Sequence, residues 1–224
     1  MTLNPELQTK PIMIRVMITD DHQLVREGLK RILEESSIDI KVVQEASDGF
    51  EALEQLSQDL PDIVILDIGM PGRNGLDVLK DIRERHADLP VLMLSMHPED
   101  RFAIRAIRAG ASGYLTKSSV SEELVRAIRQ IVRRGKRYIS MNVADQMAQQ
   151  MDRSVNKSIH EILSDREYQI LCMIASGKKI GDIADELSLS VQTIHTYRAR
   201  LKEKMNMNSN VELARYAIQQ DLID

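Results

Sequence analysis

The sequence has a single cysteine, few aromatic residues and no long apolar run, and each absence disfavours a class of protein. Cys172 has no second cysteine with which to form an internal disulfide bond, which fits a reducing cytoplasm. Aromatic residues make up 3% of the chain, which disfavours the base-stacking surfaces of single-strand RNA binders. No apolar run approaches the roughly 18 residues of a membrane span. The N-terminal segment lacks the apolar core of a signal peptide, so we expect a cytoplasmic protein with no membrane partner.

The chain is long enough and apolar enough for a globular protein of two domains. It has 224 residues, of which 43% are apolar and 29% carry a charge. These fractions are typical of folded domains and not of disordered segments. Because the formal net charge is −4, any binding to nucleic acid has to come from a local basic patch rather than from the whole chain.

The segment over residues 13–134 alternates short β-like runs with longer helical patterns. Five strand and helix pairs in succession predict an α/β domain with a doubly wound parallel sheet of five strands. Such a sheet places its functional site beyond the carboxyl ends of its strands. The β-like runs are Ile14–Ile18, Val42–Ala46, Ile63–Leu66, Val91–Leu94 and Gly113–Leu115.

From Ile162 onward the apolar pattern is helical throughout, which predicts a small all-α domain over residues 160–224. Residues 135–159 are assigned to a connecting helix and a linker, because Met141–Met151 is amphipathic and Asp152–Lys157 is polar and unpatterned. Two pairs of residues have the spacing of capping boxes at helix starts: Ser164 with Glu167, and Ser209 with Glu212.

Two of these predicted helices have the arrangement of a helix-turn-helix. A short helix over Ile180–Leu187 is followed by a three-residue turn and by a second helix from Ser190 to about Met205. A solvated amphipathic helix in any small bundle would have the same pattern. The apolar positions that define a buried face of the second helix are Val191, Ile194, Leu201 and Met205.

Carboxylates and a lysine follow three strands of the predicted sheet. Asp20 and Asp21 follow the first strand, Asp67 the third and Lys117 the fifth. Taken singly, each is better explained as a helix cap or a solvated charge. Because the first and third strands are neighbours in a doubly wound sheet, we expect the carboxylates to share one crevice. Close carboxylates repel unless a cation intervenes, and Mg²⁺ prefers oxygen ligands. The pattern predicts a carboxylate that attacks a phosphoryl group whose charge Mg²⁺ and Lys117 neutralise.

Residues 13–134 resemble the flavodoxin-like receiver domain of two-component response regulators. The matching motifs lie in register on the predicted strands. They are Asp20-Asp21-His22 with Arg26-Glu27-Gly28-Leu29, then Leu66 through Gly75, then Leu94-Ser95, and finally Gly110 through Lys117.

The resemblance implies a phosphoryl site. Asp67 would be the phosphoacceptor, and the phosphohistidine of a sensor histidine kinase would be the donor. Mg²⁺ would be bound directly by Asp21, Asp67 and the backbone carbonyl of Gly69, with Asp20 acting largely through water.

The resemblance also implies a switch. Ser95 would hydrogen-bond the phosphoryl group, Tyr114 would change rotamer with it, and Lys117 would pair with the phosphoryl oxygens. Many receivers have a cis proline after this lysine, whereas Ser118 stands here. A cis bond before a residue other than proline costs about 3–4 kcal/mol, so the isomer of the Lys117–Ser118 bond stays open. His22 is interpreted as a capping or partly exposed residue.

Residues 160–222 resemble the LuxR-type helix-turn-helix of NarL/FixJ-like regulators. The matching residues are Leu163 through Glu167, Ile183-Ala184, Leu189-Ser190, Thr193-Ile194 and Asn210 through Ala217.

The second resemblance implies binding of double-stranded DNA by a homodimer. His195 and Thr196 would contact base edges, Thr193 and Lys202 phosphates, and Arg198 and Arg200 flank the helix as further cations. The last helix would form a dimer contact; packing within one chain is the alternative. Its apolar residues are Val211, Leu213, Ala214, Ala217 and Ile218.

The predicted function is therefore a phosphorylation-controlled transcriptional regulator, not an enzyme beyond phosphorylating and dephosphorylating its own Asp67. An aspartyl-phosphate phosphatase is one alternative, but such enzymes use a second aspartate two residues after the first, where Gly69 stands. A receiver-linked protein-interaction module that never touches DNA is the other alternative.

Overall fold

The computed structural model describes residues 13–96, 99–152, 159–220 and 222–223. Most of the linker predicted over Asp152–Lys157 lies outside these residues. In the part of the chain that the structure describes, no helix combines the length and apolarity needed to cross a membrane.

Five parallel strands form one sheet in the order β2-β1-β3-β4-β5. This is the predicted doubly wound topology, in which β1 and β3 lie side by side at the centre. The strands are β1 (Ile14–Thr19), β2 (Ile40–Ala46), β3 (Ile63–Asp67), β4 (Val91–Ser95) and β5 (Gly113–Thr116). Every residue of β3 and β4 is buried, as expected for strands with helices on both faces.

Ten α-helices and one 3₁₀ turn are assigned among the described residues. In the first domain and its extension they are α1 (Gln23–Ser36), α2 (Gly49–Gln58), α3 (Gly75–Arg85), α4 (Glu99–Arg108), α5 (Val120–Arg134) and α6 (Met141–Asp152). The 3₁₀ turn Ile159–Ile162 precedes α7 (Asp165–Ala175), α8 (Ile180–Glu186), α9 (Val191–Met205) and α10 (Asn210–Gln219).

The sheet has a separate apolar core on each face. One core packs α1 and α5 against the sheet, for example through Leu33 and Ile128. The other packs α2, α3 and α4 and continues without interruption into the C-terminal helices. The two domains therefore share part of one hydrophobic core.

The C-terminal helices begin at the caps that the sequence predicts. The Ser164 hydroxyl accepts from the Glu167 N–H while the Glu167 carboxylate accepts from the Ser164 N–H, which completes the predicted capping box of α7. Ser209 caps α10 in the same way, but the Glu212 carboxylate accepts from the N–H of Asn208 instead of returning to the N–H of Ser209.

One residue of the predicted buried face of α9 lies elsewhere. Ile194, Leu201 and Met205 are buried, but Val191 is 48% exposed. Val191 is the first residue of α9, directly after the Ser190 cap, so its side chain lies before the first turn that packs against other helices. The prediction for Val191 was wrong because apolar spacing alone does not locate the end of a buried stripe.

Candidate functional site

The carboxyl ends of three strands bring Asp20, Asp67 and Lys117 together. Asp67 is the last residue of β3, and Asp20 follows β1, which pairs with β3. Lys117 follows β5, and its side chain reaches past β4, so that Nζ lies 2.6 Å from Oδ2 of Asp20 and 3.2 Å from Oδ2 of Asp67. The backbone N–H of Lys117 donates to the Ser95 carbonyl, which holds the Lys117 backbone in place beside β4. The predicted convergence of charges is therefore observed for Asp20, Asp67 and Lys117.

Burial controls the charge of the central carboxylate. Asp67 is 3% exposed. Burial, with Asp20 as a like-charged neighbour, raises the pKa of Asp67 to about 6, although the attraction of Lys117 opposes this change. Burial lowers the pKa of Lys117, but the attraction of the two carboxylates outweighs it and leaves that pKa raised. The ionisation of Asp67 therefore depends on two opposing effects, its burial and the attraction of the neighbouring Lys117 cation.

Asp20, Asp21 and His22 each offer a ligand atom, and these atoms lie within 4.8 Å of one another. Oδ1 of Asp21 is buried and makes no hydrogen bond, although Nδ1 of His22 lies 3.0 Å away. Carboxylate oxygens with spare acceptor capacity suit a hard divalent cation such as Mg²⁺. The residues present fit such an ion.

At the start of α1, a hydrogen bond is accepted by the Asp20 carboxylate and not by the His22 side chain. His22 occupies the N-cap position, but its side chain makes no capping hydrogen bond. Asp20 Oδ1 instead accepts from the His22 N–H at 2.9 Å. The imidazole is mostly exposed, as the sequence interpretation expected, and Asp20 itself is buried and directly paired with Lys117.

The backbone lies near Asp67 at two glycines, but only at Gly75 does the close approach require a glycine. The Gly69 N–H donates to the Asp67 carboxylate, and a Cβ added at Gly69 would lie 3.4 Å from Oδ2. A Cβ at Gly75 would lie 2.0 Å from the Asp67 carbonyl oxygen, a distance that no side chain tolerates. Sequence reasoning assigned no role to Gly75, although its place in the matching motif was a signal. Gly75 positions the loop that leaves the acidic site.

Of the two predicted switch residues, Ser95 lies on the strand next to that of Asp67, and Tyr114 lies one strand further away. Ser95 ends β4 and is 1% exposed, and Tyr114 lies in β5 with 3% exposure. Tyr114 belongs to the core that continues into the C-terminal helices. The Lys117–Ser118 peptide bond, whose isomer the sequence left open, is trans.

The predicted DNA contacts all lie on α9, but their surroundings differ. Thr196 and Arg200 are exposed, while Thr193, His195 and Arg198 are half-buried. Lys202 is also half-buried, and its Nζ donates to the carbonyl of Asn208 just beyond the helix. Sequence reasoning missed a shallow groove along the exposed side of α9, which is lined by Gln192, Thr193, Thr196, Tyr197 and Arg200.

The apolar residues of α10 divide into two faces. Leu213 and Ala217 are buried within the chain, in agreement with intramolecular packing. Val211 and Ile218 are 76% and 56% exposed, respectively. The helix thus packs its inner face on α7 and leaves an apolar outer face uncovered.

The first helix of the C-terminal domain docks on the first domain. Every residue of α7 from Asp165 to Ile174 is buried. Its Tyr168 ring meets Phe102 of α4 edge to face, with ring centroids 5.4 Å apart. Asp165 pairs with Lys80 at 2.7 Å and with Arg105 at 3.1 Å. Nothing in the sequence pattern indicated this docking.

The comparisons with known proteins agree with both halves of this architecture. Residues 16–129 match the family model of the response regulator receiver domain, and residues 161–217 match that of bacterial regulatory proteins of the luxR family. The chain is 42% identical to the response regulator GacA of Pseudomonas viridiflava, over 95% of this chain and 99% of that protein. It is 41% identical to the response regulator UvrY of Escherichia coli K12, over 94% and 96% of the two chains.

A solved structure adds to this agreement. It is a two-component response regulator of the LuxR family from Aurantimonas sp. SI85-9A1, which is 40% identical and matches with a TM-score of 0.57 over 62% of this chain and 98% of that one. A central acidic site on a doubly wound sheet, a helix-turn-helix and full-length relatives all point the same way. The chain belongs to the two-component response regulators that join a receiver domain to a LuxR-type DNA-binding domain.

Proposed function

We propose that a sensor histidine kinase phosphorylates this transcriptional regulator on Asp67, and that the phosphorylated form binds double-stranded DNA as a homodimer. One observation carries the phosphorylation half: Asp67 ends the central strand with the Lys117 ammonium 3.2 Å from its carboxylate. A phosphoryl group on Asp67 would bring three acceptor oxygens into reach of that cation.

The transfer is a displacement at phosphorus. An Asp67 carboxylate oxygen attacks, the new O–P bond forms, and the P–N bond of the kinase phosphohistidine breaks with its electron pair returning to the imidazole. Lys117 offsets the charge on the phosphoryl oxygens, and Ser95 donates a hydrogen bond to them. In this proposal Tyr114 follows Ser95 and carries the change towards α4.

Mg²⁺ would be held by Asp21, Asp67 and the backbone carbonyl of Gly69, with Asp20 next to them. When bound, this ion supplies charge neutralisation between the carboxylates and the incoming phosphoryl group. The buried Asp21 oxygen without a hydrogen bond supports the assignment. Gly69 offers no side-chain acid two residues after Asp67, so turnover of other phosphate esters is not proposed. We do propose that Asp67 is self-phosphorylated from small donors and that it is self-dephosphorylated.

The DNA half rests on α9. Its exposed Thr196 and Arg200, with His195 and Thr193 beside them, would enter the major groove, while Arg198 and Lys202 would meet phosphates. Lys202 would have to leave the Asn208 carbonyl to do so. The docked α7 does not bury Thr196 or Arg200, so their exposure requires no undocking. This favours dimerisation as the phosphorylation-dependent step.

The outer face of α10 would supply the dimer contact. Val211 and Ile218 are seven residues apart, so they project on the same side of the helix, and both are largely exposed. Two copies joined there would reach half-sites about 10 base pairs apart. We assign residues 13–134 to the receiver, 135–159 to the connecting helix and linker, and 160–224 to the DNA-binding domain, in a cytoplasmic protein.

A phosphodonor experiment tests the proposal. Wild type, Asp67→Ala and the control Asp145→Ala, which removes an exposed aspartate of α6, are incubated with phosphoramidate and Mg²⁺. Intact-mass spectrometry is expected to find one added phosphoryl group on wild type and on the control, and none on Asp67→Ala.

The same three samples are then bound to pooled genomic fragments at several salt concentrations. Phosphodonor is expected to strengthen binding by wild type and the control only. Binding is expected to weaken steeply with salt, because phosphate contacts release counterions. Equal stimulation of Asp67→Ala would overturn the phosphorylation half, and salt-independent retention would overturn the DNA half.

A further inference from the structure

We propose that Arg26, in the first turn of α1, is a positioning residue for the divalent cation of the acidic site. The inference rests on the proposed function, because it concerns the Mg²⁺ site that serves phosphorylation of Asp67. Arg26 does not touch the cation. It fixes the peptide group that joins Asp20 to Asp21, and this group sets the direction of the Asp21 carboxylate.

The carbonyl of Asp20 is the group that Arg26 holds. Nη1 of Arg26 donates to this carbonyl oxygen at 2.7 Å. The oxygen belongs to the peptide group between Asp20 and Asp21, and a peptide group is planar. Since the same plane contains the Cα atom of Asp21, fixing its rotation also fixes where the Asp21 side chain starts. The Asp21 carboxylate includes the buried oxygen that makes no hydrogen bond and that would meet the cation.

The other polar groups of Asp20 have partners too. Its N–H donates to the Ala46 carbonyl at 3.2 Å. Its Oδ1 accepts from the His22 N–H at 2.9 Å, and its Oδ2 lies 2.6 Å from Nζ of Lys117. Asp20 is 1% exposed, so it has little access to water that could replace a lost partner. Without Arg26 a buried carbonyl would lose its donor, and the peptide group would be favoured to turn towards another one.

Glu45, near the end of β2, holds Arg26 in this position. Nε of Arg26 lies 3.8 Å from Oε2 of Glu45, and Oε1 of Glu45 lies 2.9 Å from Nζ of Lys30. The Arg26 side chain is only 16% exposed. The planar guanidinium can serve the Asp20 carbonyl and the Glu45 carboxylate at the same time. One side chain thus ties α1 and β2 to the turn that carries the paired aspartates.

The sign of the expected effect separates positioning from electrostatics and from general stability. A guanidinium near the site repels Mg²⁺, so removal of its charge alone would strengthen Mg²⁺ binding. A purely structural role would lower the melting temperature and leave the Mg²⁺ affinity of the folded protein unchanged. Positioning predicts weaker binding. The usual loss of metal affinity on removing a group that orients a metal ligand is about tenfold or more.

The test measures Mg²⁺ binding to the full chain in the absence of a phosphodonor. Magnesium chloride is titrated into nitrogen-15-labelled protein, and the amide shifts of the β3–α3 loop (residues 68–74) report binding. Arg26→Met removes the cation and its hydrogen bond. Arg26→Lys keeps the cation but not the planar fork that serves Asp20 and Glu45 together. We expect the Kd for Mg²⁺ to rise about tenfold in Arg26→Met and to lie between this value and the wild-type value in Arg26→Lys.

Arg31→Met is the matched control. It removes the same charge from the same helix, but the Arg31 side chain is 75% exposed and pairs with Glu35 at 2.8 Å. We expect this control to bind Mg²⁺ as wild type does. A second measurement follows the rate of phosphorylation by phosphoramidate as Mg²⁺ is increased. The concentration that gives half of the maximal rate is expected to rise with the Kd in the Arg26 variants and to stay unchanged in the control.

An Arg26→Met protein that binds Mg²⁺ as tightly as wild type, or more tightly, would overturn the positioning role and leave the proposed function standing. A loss of affinity that Arg31→Met shares would also overturn it. Circular dichroism and thermal melting identify a variant that fails to fold. If Arg26→Met fails, Arg26→Lys decides, and an unchanged Kd in that variant overturns the role. Wild type whose amide shifts ignore Mg²⁺, or Asp67→Ala that still takes up a phosphoryl group, would overturn the proposed function itself.

Discussion

Replacing Arg105 with alanine tests how α7 is held on the receiver. The Arg105 guanidinium donates to the carbonyls of His160 at 2.6 Å and Leu163 at 3.2 Å, and it lies 3.1 Å from the Asp165 carboxylate. It also stacks over the Tyr168 ring, with 4.0 Å between the guanidinium carbon and the ring centroid. One side chain of α4 thus contacts four residues of the C-terminal domain.

The size of the expected effect follows from these contacts. Hydrogen bonds from a charged donor contribute about 1.5–3 kcal/mol each, and a cation–π contact contributes about 0.5–2 kcal/mol. Such terms do not add fully, and Lys80 remains to pair with Asp165, so we expect a net loss of about 3 kcal/mol. At about 1.4 kcal/mol per factor of ten, the docking equilibrium constant falls roughly a hundredfold.

Small-angle X-ray scattering and energy transfer between dyes on the two domains measure the docked fraction. Dyes are attached to cysteines introduced by Glu54→Cys and Glu203→Cys, both exposed positions, while the native Cys172 is buried. Arg108→Ala is the matched control, because its ion pair with Glu161 is 3.6 Å long and more exposed. An exposed pair of this kind contributes about 0–1 kcal/mol.

An Arg105→Ala protein with the same radius of gyration and energy transfer as wild type would refute this reasoning. That result would mean that the remaining contacts, among them the ring contact of Phe102 with Tyr168 and the Lys80–Asp165 pair, hold the domains together without Arg105. Equal loosening by both arginine variants would instead point to net charge as the cause.

Two further predictions concern pH. In metal-free protein, a carbon-13 NMR titration is expected to find the Asp67 carboxyl ionising near pH 6. Lys117→Met is expected to move this midpoint higher, because it removes the cation that favours the ionised carboxylate. An unmoved midpoint would contradict this prediction. The second concerns Asp39, whose pKa is held well below its usual range, chiefly by the hydrogen bond from Arg129. The contribution of ionised Asp39 to stability is present above about pH 4 and is lost as pH falls. Urea denaturation should therefore find Asp39→Asn less stable than wild type by about 1 kcal/mol at pH 7. The difference should shrink towards pH 3, and a difference that stays constant would contradict the prediction.

Much of the acidic site could be predicted because it depends on where strands end. Asp20, Asp67 and Lys117 each follow an apolar run, and parallel strands bring their carboxyl ends to one edge of the sheet. The helices of the C-terminal domain were equally readable, since capping residues act on N–H groups three residues away. The exposure of Val191 could not be predicted from the sequence, because only packing against other helices decides where the buried face of α9 ends.

The sequence by itself determined the strands, the helices and their caps, because periodicity and capping involve residues close together in the chain. Only the tertiary structure decided that α7 docks on the β3–α3 loop, since Arg166 and Met70 are 96 residues apart and neither carries a local signal for the other. It also decided that Asp67 is buried deeply enough for its pKa to reach about 6. Desolvation is a property of everything packed around a group, and no stretch of sequence contains it.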